Sequence, residues 1–137
     1  MIYDNQSSRP SGQWPRWRQR FADAFHGILV AIRGQESLWV HIIFAVAVVG
    51  ISAILQVDAW RWCVLTLCIF IVISLEMMNS AIERLVKTLH PEHDSGLAET
   101  LHMAAAAVLV AAIGSVFVAL IVLLPPIVRL FDVRLFD

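Results

Sequence analysis

At 137 residues, with 59% hydrophobic and 15% charged side chains and a formal net charge of −1, the chain is one domain at most. It is well outside the composition of water-soluble domains, which are roughly 45–50% apolar and about 25% charged. Together with a mean hydropathy of +0.75, this excludes a disordered chain, a nucleic-acid binder built on a basic patch and most soluble enzymes, and leaves a small polytopic membrane protein.

Residues 1–13 are polar, contain Pro, Gly and Ser, and carry no apolar stretch of the kind a cleaved signal needs. They are expected to form a disordered tail. From Trp14 the pattern changes: Trp14, Trp17, Phe21, Phe25, Ile28 and Ile32 recur at steps of three and four, while Arg16, Arg18 and Arg20 fall mostly off that stripe. The spacing predicts an amphipathic helix over about 14–34, lying in the membrane interface with its tryptophans at headgroup depth.

Three spans follow, predicted at about 37–57, 59–86 and 100–124. The first is carried by Leu38–Val57, 20 residues with no formal charge, which reach about 30 Å as a helix and so cross the hydrocarbon core. Trp39, Trp60 and Trp62 suit the two interfaces. The second has an uncharged centre of only 14 residues, Trp62–Leu75, so to span it must carry Glu76 near one boundary and continue through Glu83. The third, Met103–Leu124, has 22 uncharged residues. It is expected to stop at Pro125-Pro126, leaving 126–137 as a tail in which Arg-Leu-Phe-Asp occurs twice. Ala104–Ala107 and Gly114 give this span a thin, close-packing surface. Cys63 and Cys68, five apart in an apolar run, face different sides of one helix and match no disulfide or metal spacing.

Basic residues divide seven to three. Arg9, Arg16, Arg18, Arg20, Arg33, Arg84 and Lys87 fall on one side, and Arg61, Arg129 and Arg134 on the other. That asymmetry places the N-terminus in the cytoplasm. His90, His93 and His102 with Glu92, Asp94 and Glu99 match no compact metal motif and read mainly as a solvated loop. His41, shallow in the first span, reads on its own as a hydrogen-bonded helix histidine. No glycine-rich phosphate loop or kinase-type catalytic loop is present in the sequence.

The chemistry-bearing stretch is Glu76-Met-Met-Asn-Ser-Ala-Ile-Glu83. Carboxylates inside a membrane helix are costly and mark function. Glu76, Asn79 and Glu83 fall within roughly a 60° arc, with the glutamates about 10 Å apart along the axis. That is too far to share a proton, so the two acids take distinct roles. Two carboxylates and an amide suit a divalent cation bound through oxygen, with one acid left as a base.

This octad resembles the Glu-x-x-Asn-(Ser/Thr)-Ala-(Ile/Leu)-Glu motif of the prokaryotic diacylglycerol kinase family, small integral-membrane lipid kinases that include undecaprenol kinases. Phe25-His-Gly27, His41, the Ala104–Leu109 run and the layout of interfacial helix plus three spans add to the likeness, which covers about residues 15–124. The resemblance implies an all-α integral membrane homotrimer in a bacterial inner membrane, with active sites shared between neighbouring subunits. It implies transfer of the γ-phosphoryl group of Mg-ATP to the hydroxyl of a lipid alcohol such as diacylglycerol, at the cytoplasmic surface. By position, Glu76 is then the catalytic base, Glu83 a Mg²⁺ ligand and Asn79 a site-shaping group.

The chain departs from the family pattern at several polar positions. Gln35 stands where the family's other metal-binding glutamate falls, with Glu36 beside it as a substitute ligand. Leu101-His102 replaces a Lys-Asp pair, and Lys87 replaces an aspartate and offers a phosphate contact. Gln35, Glu36, Lys87 and His102 are therefore candidates around ATP. The departures also leave a second reading, a non-catalytic relative that binds lipid or nucleotide as a membrane subunit. A small transporter or proton-linked channel is a third, for which the sequence shows no repeat symmetry.

Overall fold

The computed structural model describes residues 16–89 and 95–135, so Trp14, the tail of residues 1–13 and the loop residues His90, Glu92, His93 and Asp94 lie outside it. The described residues form four helices: α1 (Arg16–Gly34), α2 (Glu36–Ile54), α3 (Ala59–Leu89) and α4 (Ser95–Leu135). α2, α3 and α4 are each long and apolar enough to cross a membrane.

α1 carries its aromatic stripe uncovered. Trp17, Phe21 and Phe25 are all exposed, and the first two meet edge to face with ring centroids 6.3 Å apart. Only its end touches the bundle, where Ala31 is buried and Trp39 Nε1 donates to the Ile32 carbonyl across 3.0 Å. A single residue, Gln35, joins α1 to α2. Its extended backbone (φ −137°, ψ 113°) makes it the N-cap of α2, with no side-chain capping bond.

The far end of α2 closes as a Schellman turn. Gln56 N–H bonds to the Ala53 carbonyl and Val57 N–H to the Ser52 carbonyl, both at 3.2 Å, with Gln56 at φ 48°. This left-handed position is usually taken by glycine. The turn returns the chain antiparallel and drops Val57 into the core cluster with Leu65, Val122 and Leu123. Asp58 then receives Arg61 Nη1 at 2.7 Å, holding the first turn of α3.

α3 is the central helix, packed on α4 and α2 and touched by the end of α1. Cys63 and Cys68 on it are free, and Cys63 is exposed. At 31 residues α3 is about 46 Å long, more than the roughly 30 Å hydrocarbon core. Its Glu83–Leu89 end therefore extends past the apolar layer.

The Pro125-Pro126 pair does not end the third span. α4 contains both prolines and continues to Leu135, so the expected tail from residue 126 is helix through residue 135. Two prolines remove two helical N–H groups, which frees carbonyls one turn earlier. Packing flanks the pair on both sides: Val122 and Leu123 belong to the core cluster and Ile127 packs against it, while Pro126 and Arg129 line a pocket shared with the turn at Leu55–Asp58.

Within the chain only 11%, 28% and 17% of the most apolar windows of α2, α3 and α4 are buried. Most of their surface is therefore left uncovered by the chain itself. The core is correspondingly small, and a cavity cut into it should be felt. Leu65→Ala, at a position 2% exposed, should lower stability in a detergent unfolding titration by about 2–5 kcal/mol. Leu67→Ala, at a position 60% exposed, should cost less than about 1 kcal/mol.

Candidate active site

Glu76 is 3% exposed. A buried carboxylate in an apolar bundle needs compensating groups, and α2 supplies them. Ser37 Oγ donates to Glu76 Oε1, and His41 Nε2 lies 3.7 Å from Oε2. Ser37 and His41 are one turn apart and so share a face of α2. The first turns of α2 thus close over α3 at this acid.

The rest of the octad is organised along α3. Asn79, 8% exposed, donates through Nδ2 to Glu83 Oε1 at 3.0 Å. Lys87 Nζ stands 3.7 Å from Glu83 Oε2. Steps of four residues align such groups on one helix face, giving a ladder of amide, carboxylate and ammonium that climbs out of the apolar layer. The side chain of Glu83 is 31% exposed. Asn79 Oδ1 and Ser80 Oγ are buried without a hydrogen-bond partner. Glu76 thus turns to α2 while Glu83 is held within α3, a physical basis for distinct roles.

The other candidates are less engaged. Gln35 is half-buried at the α1–α2 joint and Glu36 is exposed in the first turn of α2. His102 is exposed on α4, next to half-buried Leu101. Among the described residues no three His, Cys, Asp or Glu side chains gather as a metal site.

Three groups near the site receive no site role from composition and motif alone. Ser37 is one, although its spacing of four from His41 was a usable signal. Ser80 is buried beside Asn79. Arg84 reaches from α3 to the Val30 carbonyl of α1, Nη2 to oxygen 3.2 Å, crossing Gly34 so closely that a Cβ there would overlap the guanidinium.

Further along the bundle from Glu76, α2, α3 and α4 line a partly open apolar cleft of about 210 Å³. His41 lies in its wall with Phe44, Val72, Ile73 and Val116. His41 therefore neighbours both the acid and an apolar space.

A model of the prokaryotic diacylglycerol kinase family matches residues 22–123. The chain belongs to this family. A relative from Synechocystis sp., named diacylglycerol kinase, is 34% identical over 111 residues, which cover 80% of this chain and 63% of the relative. The matched segment thus spans somewhat under two thirds of that relative's length. No solved structure matches the chain. The family match includes Ser37, His41 and the whole octad, and ends just before Pro125-Pro126.

The Arg84 contact ties α1 to α3 beside the site. Arg84→Ala should raise hydrogen exchange of the amides at the end of α1 by about fivefold, the effect of losing about 1 kcal/mol. Exchange in α3 around Leu65 should stay unchanged.

Proposed function

We propose that this member of the diacylglycerol kinase family is a membrane lipid kinase that transfers the γ-phosphoryl group of Mg-ATP to the hydroxyl of a lipid alcohol, such as diacylglycerol or undecaprenol. The observation that carries the reading is Glu76: a buried carboxylate, held from α2, whose neighbour His41 also lines an apolar cleft. A lipid alcohol has the matching shape, with a polar hydroxyl at the acid and an apolar body in the membrane.

In this mechanism the acceptor hydroxyl gives its proton to Glu76 as its oxygen attacks the γ-phosphorus. The bond from that phosphorus to the bridging oxygen breaks, and ADP leaves. Little covalent work is asked of the protein, and the requirement is positioning and charge neutralisation. The Glu83 carboxylate and the unpartnered Asn79 Oδ1 are oxygen donors suited to Mg²⁺, which takes one or two carboxylates together with substrate phosphates. Glu36 would add a second carboxylate, and Mg²⁺ when bound neutralises phosphate charge. Lys87, paired with Glu83, together with Gln35 and His102, stands as a candidate contact to ATP.

A homotrimer accords with the low burial of the three spans within one chain, since neighbouring copies would cover that apolar surface. The seven-to-three distribution of basic residues supports a cytoplasmic N-terminus and a site at the cytoplasmic face of a bacterial inner membrane.

The second reading is a non-catalytic relative that binds lipid or nucleotide. It is favoured by the Glu83–Lys87 pair, in which an ammonium stands where a cation would, and by Leu101 in place of a lysine. Radiolabelled ATP with several lipid alcohols separates the two. Label should pass to a lipid alcohol, and Glu76→Gln should reduce transfer by about 100-fold or more. Mg-ATP binding with no label in diacylglycerol, undecaprenol or a total lipid extract would establish the non-catalytic reading instead. Under the kinase reading, Leu101→Lys should raise transfer if that position simply lacks its phosphate contact, and leave it unchanged if Lys87 has taken over the task.

A further inference from the structure

The two oxygens of the Glu76 carboxylate are not equivalent. Oε1 accepts a hydrogen bond from Ser37 Oγ. Oε2 faces His41 Nε2 at 3.7 Å, beyond hydrogen-bond length, and so has a neighbour but, among the described residues, no close donor. His41 is also a wall of the apolar cleft. The oxygen left for an incoming hydroxyl is therefore the one on the side from which a membrane-embedded acceptor arrives.

We propose that Ser37 is a positioning residue for Glu76: it occupies Oε1 and so turns Oε2 toward the His41 side, where the acceptor hydroxyl is received. This rests on Glu76 being the base of a lipid kinase. A glutamate side chain has three rotatable bonds, and its terminal torsion is broad, without a sharp staggered preference. Burial alone does not select the plane of the carboxylate, whereas a donor fixed on α2 does. Ser37 lies in the first turn of α2, and the single-residue joint at Gln35 sets where that turn begins. Neither Asn79 nor Lys87 performs this task, because both are directed at Glu83. From α4, Glu99 and His102 are exposed and, among the described residues, form no hydrogen bond or ion pair with Glu76. Ser37 itself is exposed, so its hydroxyl can be removed without opening a core cavity.

The test joins a spectroscopic and a kinetic measurement on the full chain in detergent micelles. With glutamate labelled by ¹³C at the carboxyl carbon, the Glu76 resonance is assigned by its loss in Glu76→Gln. Ser37→Ala should move that resonance, and Ser37→Thr, which keeps the hydroxyl, should leave it in place. In the lipid-labelling assay Ser37→Ala should lower kcat about tenfold, the scale of one hydrogen bond to a charged group. KM for ATP should not change, and Ser37→Thr should restore most of the rate. An unmoved Glu76 resonance in Ser37→Ala, or equal kcat losses in the Ala and Thr variants, would overturn the role given to Ser37. A resonance that moves in a chain with no phosphoryl transfer would instead overturn the kinase reading, while the hold of Ser37 on Glu76 would stand.

Discussion

The arrangement depends on one constraint: a carboxylate has been buried among apolar helices. Leaving such a group without a hydrogen-bond partner costs about 1–3 kcal/mol, a noticeable share of the stability of a small domain. The contact between Glu76 and the start of α2 is thus as much a condition of the fold as a feature of the site. It brings Ser37 and His41 onto α3. It also brings the end of α1 close enough for Arg84 to reach the Val30 carbonyl. At the opposite end of the bundle the helices are joined by apolar contact, through Val57, Leu65, Val122 and Leu123. The molecule therefore has a packed end and a polar end, and the candidate site lies at the second.

Within the octad, position along the helix separates the acids. Glu76 lies deep enough to be buried, whereas Glu83, two turns further on, is partly open to the outside. The same residue type is thus held by two different kinds of partner: a hydroxyl and an imidazole from another helix for Glu76, and an amide and an ammonium from its own helix for Glu83. A motif of eight residues encodes this because 3.6 residues per turn keeps both acids on one face while their depths differ.

Much of this was legible in the sequence, for identifiable reasons. The spans follow from uncharged stretches, and the α3 face follows from the spacing of Glu76, Asn79 and Glu83. The continuation of α4 through Pro125-Pro126 is not legible, since the local cost of proline is visible in the sequence and the offsetting packing of Ile127 on the core cluster is not. Ser37 carries no site signal of its own, because a serine at a helix start is ordinarily a capping or surface residue. Its partner is 39 positions away, a distance that periodicity cannot bridge. Arg84 reads in the sequence only as a topology charge, because its acceptor is a main-chain carbonyl of another helix, and carbonyls carry no sequence signature.

The joint at Gln35 has an evolutionary consequence. One extended residue separates two helices, so the rotational phase of α2 is set there with nothing to absorb an error. Inserting or deleting a single residue would leave every span long enough to cross the membrane, yet would rotate Ser37 and His41 by about 100° relative to α1 and its anchor. Hydropathy would not register the change, and the acid on α3 would lose its partners or α1 its seat. A change of length at this joint is therefore penalised in a way that a substitution of Gln35 is not.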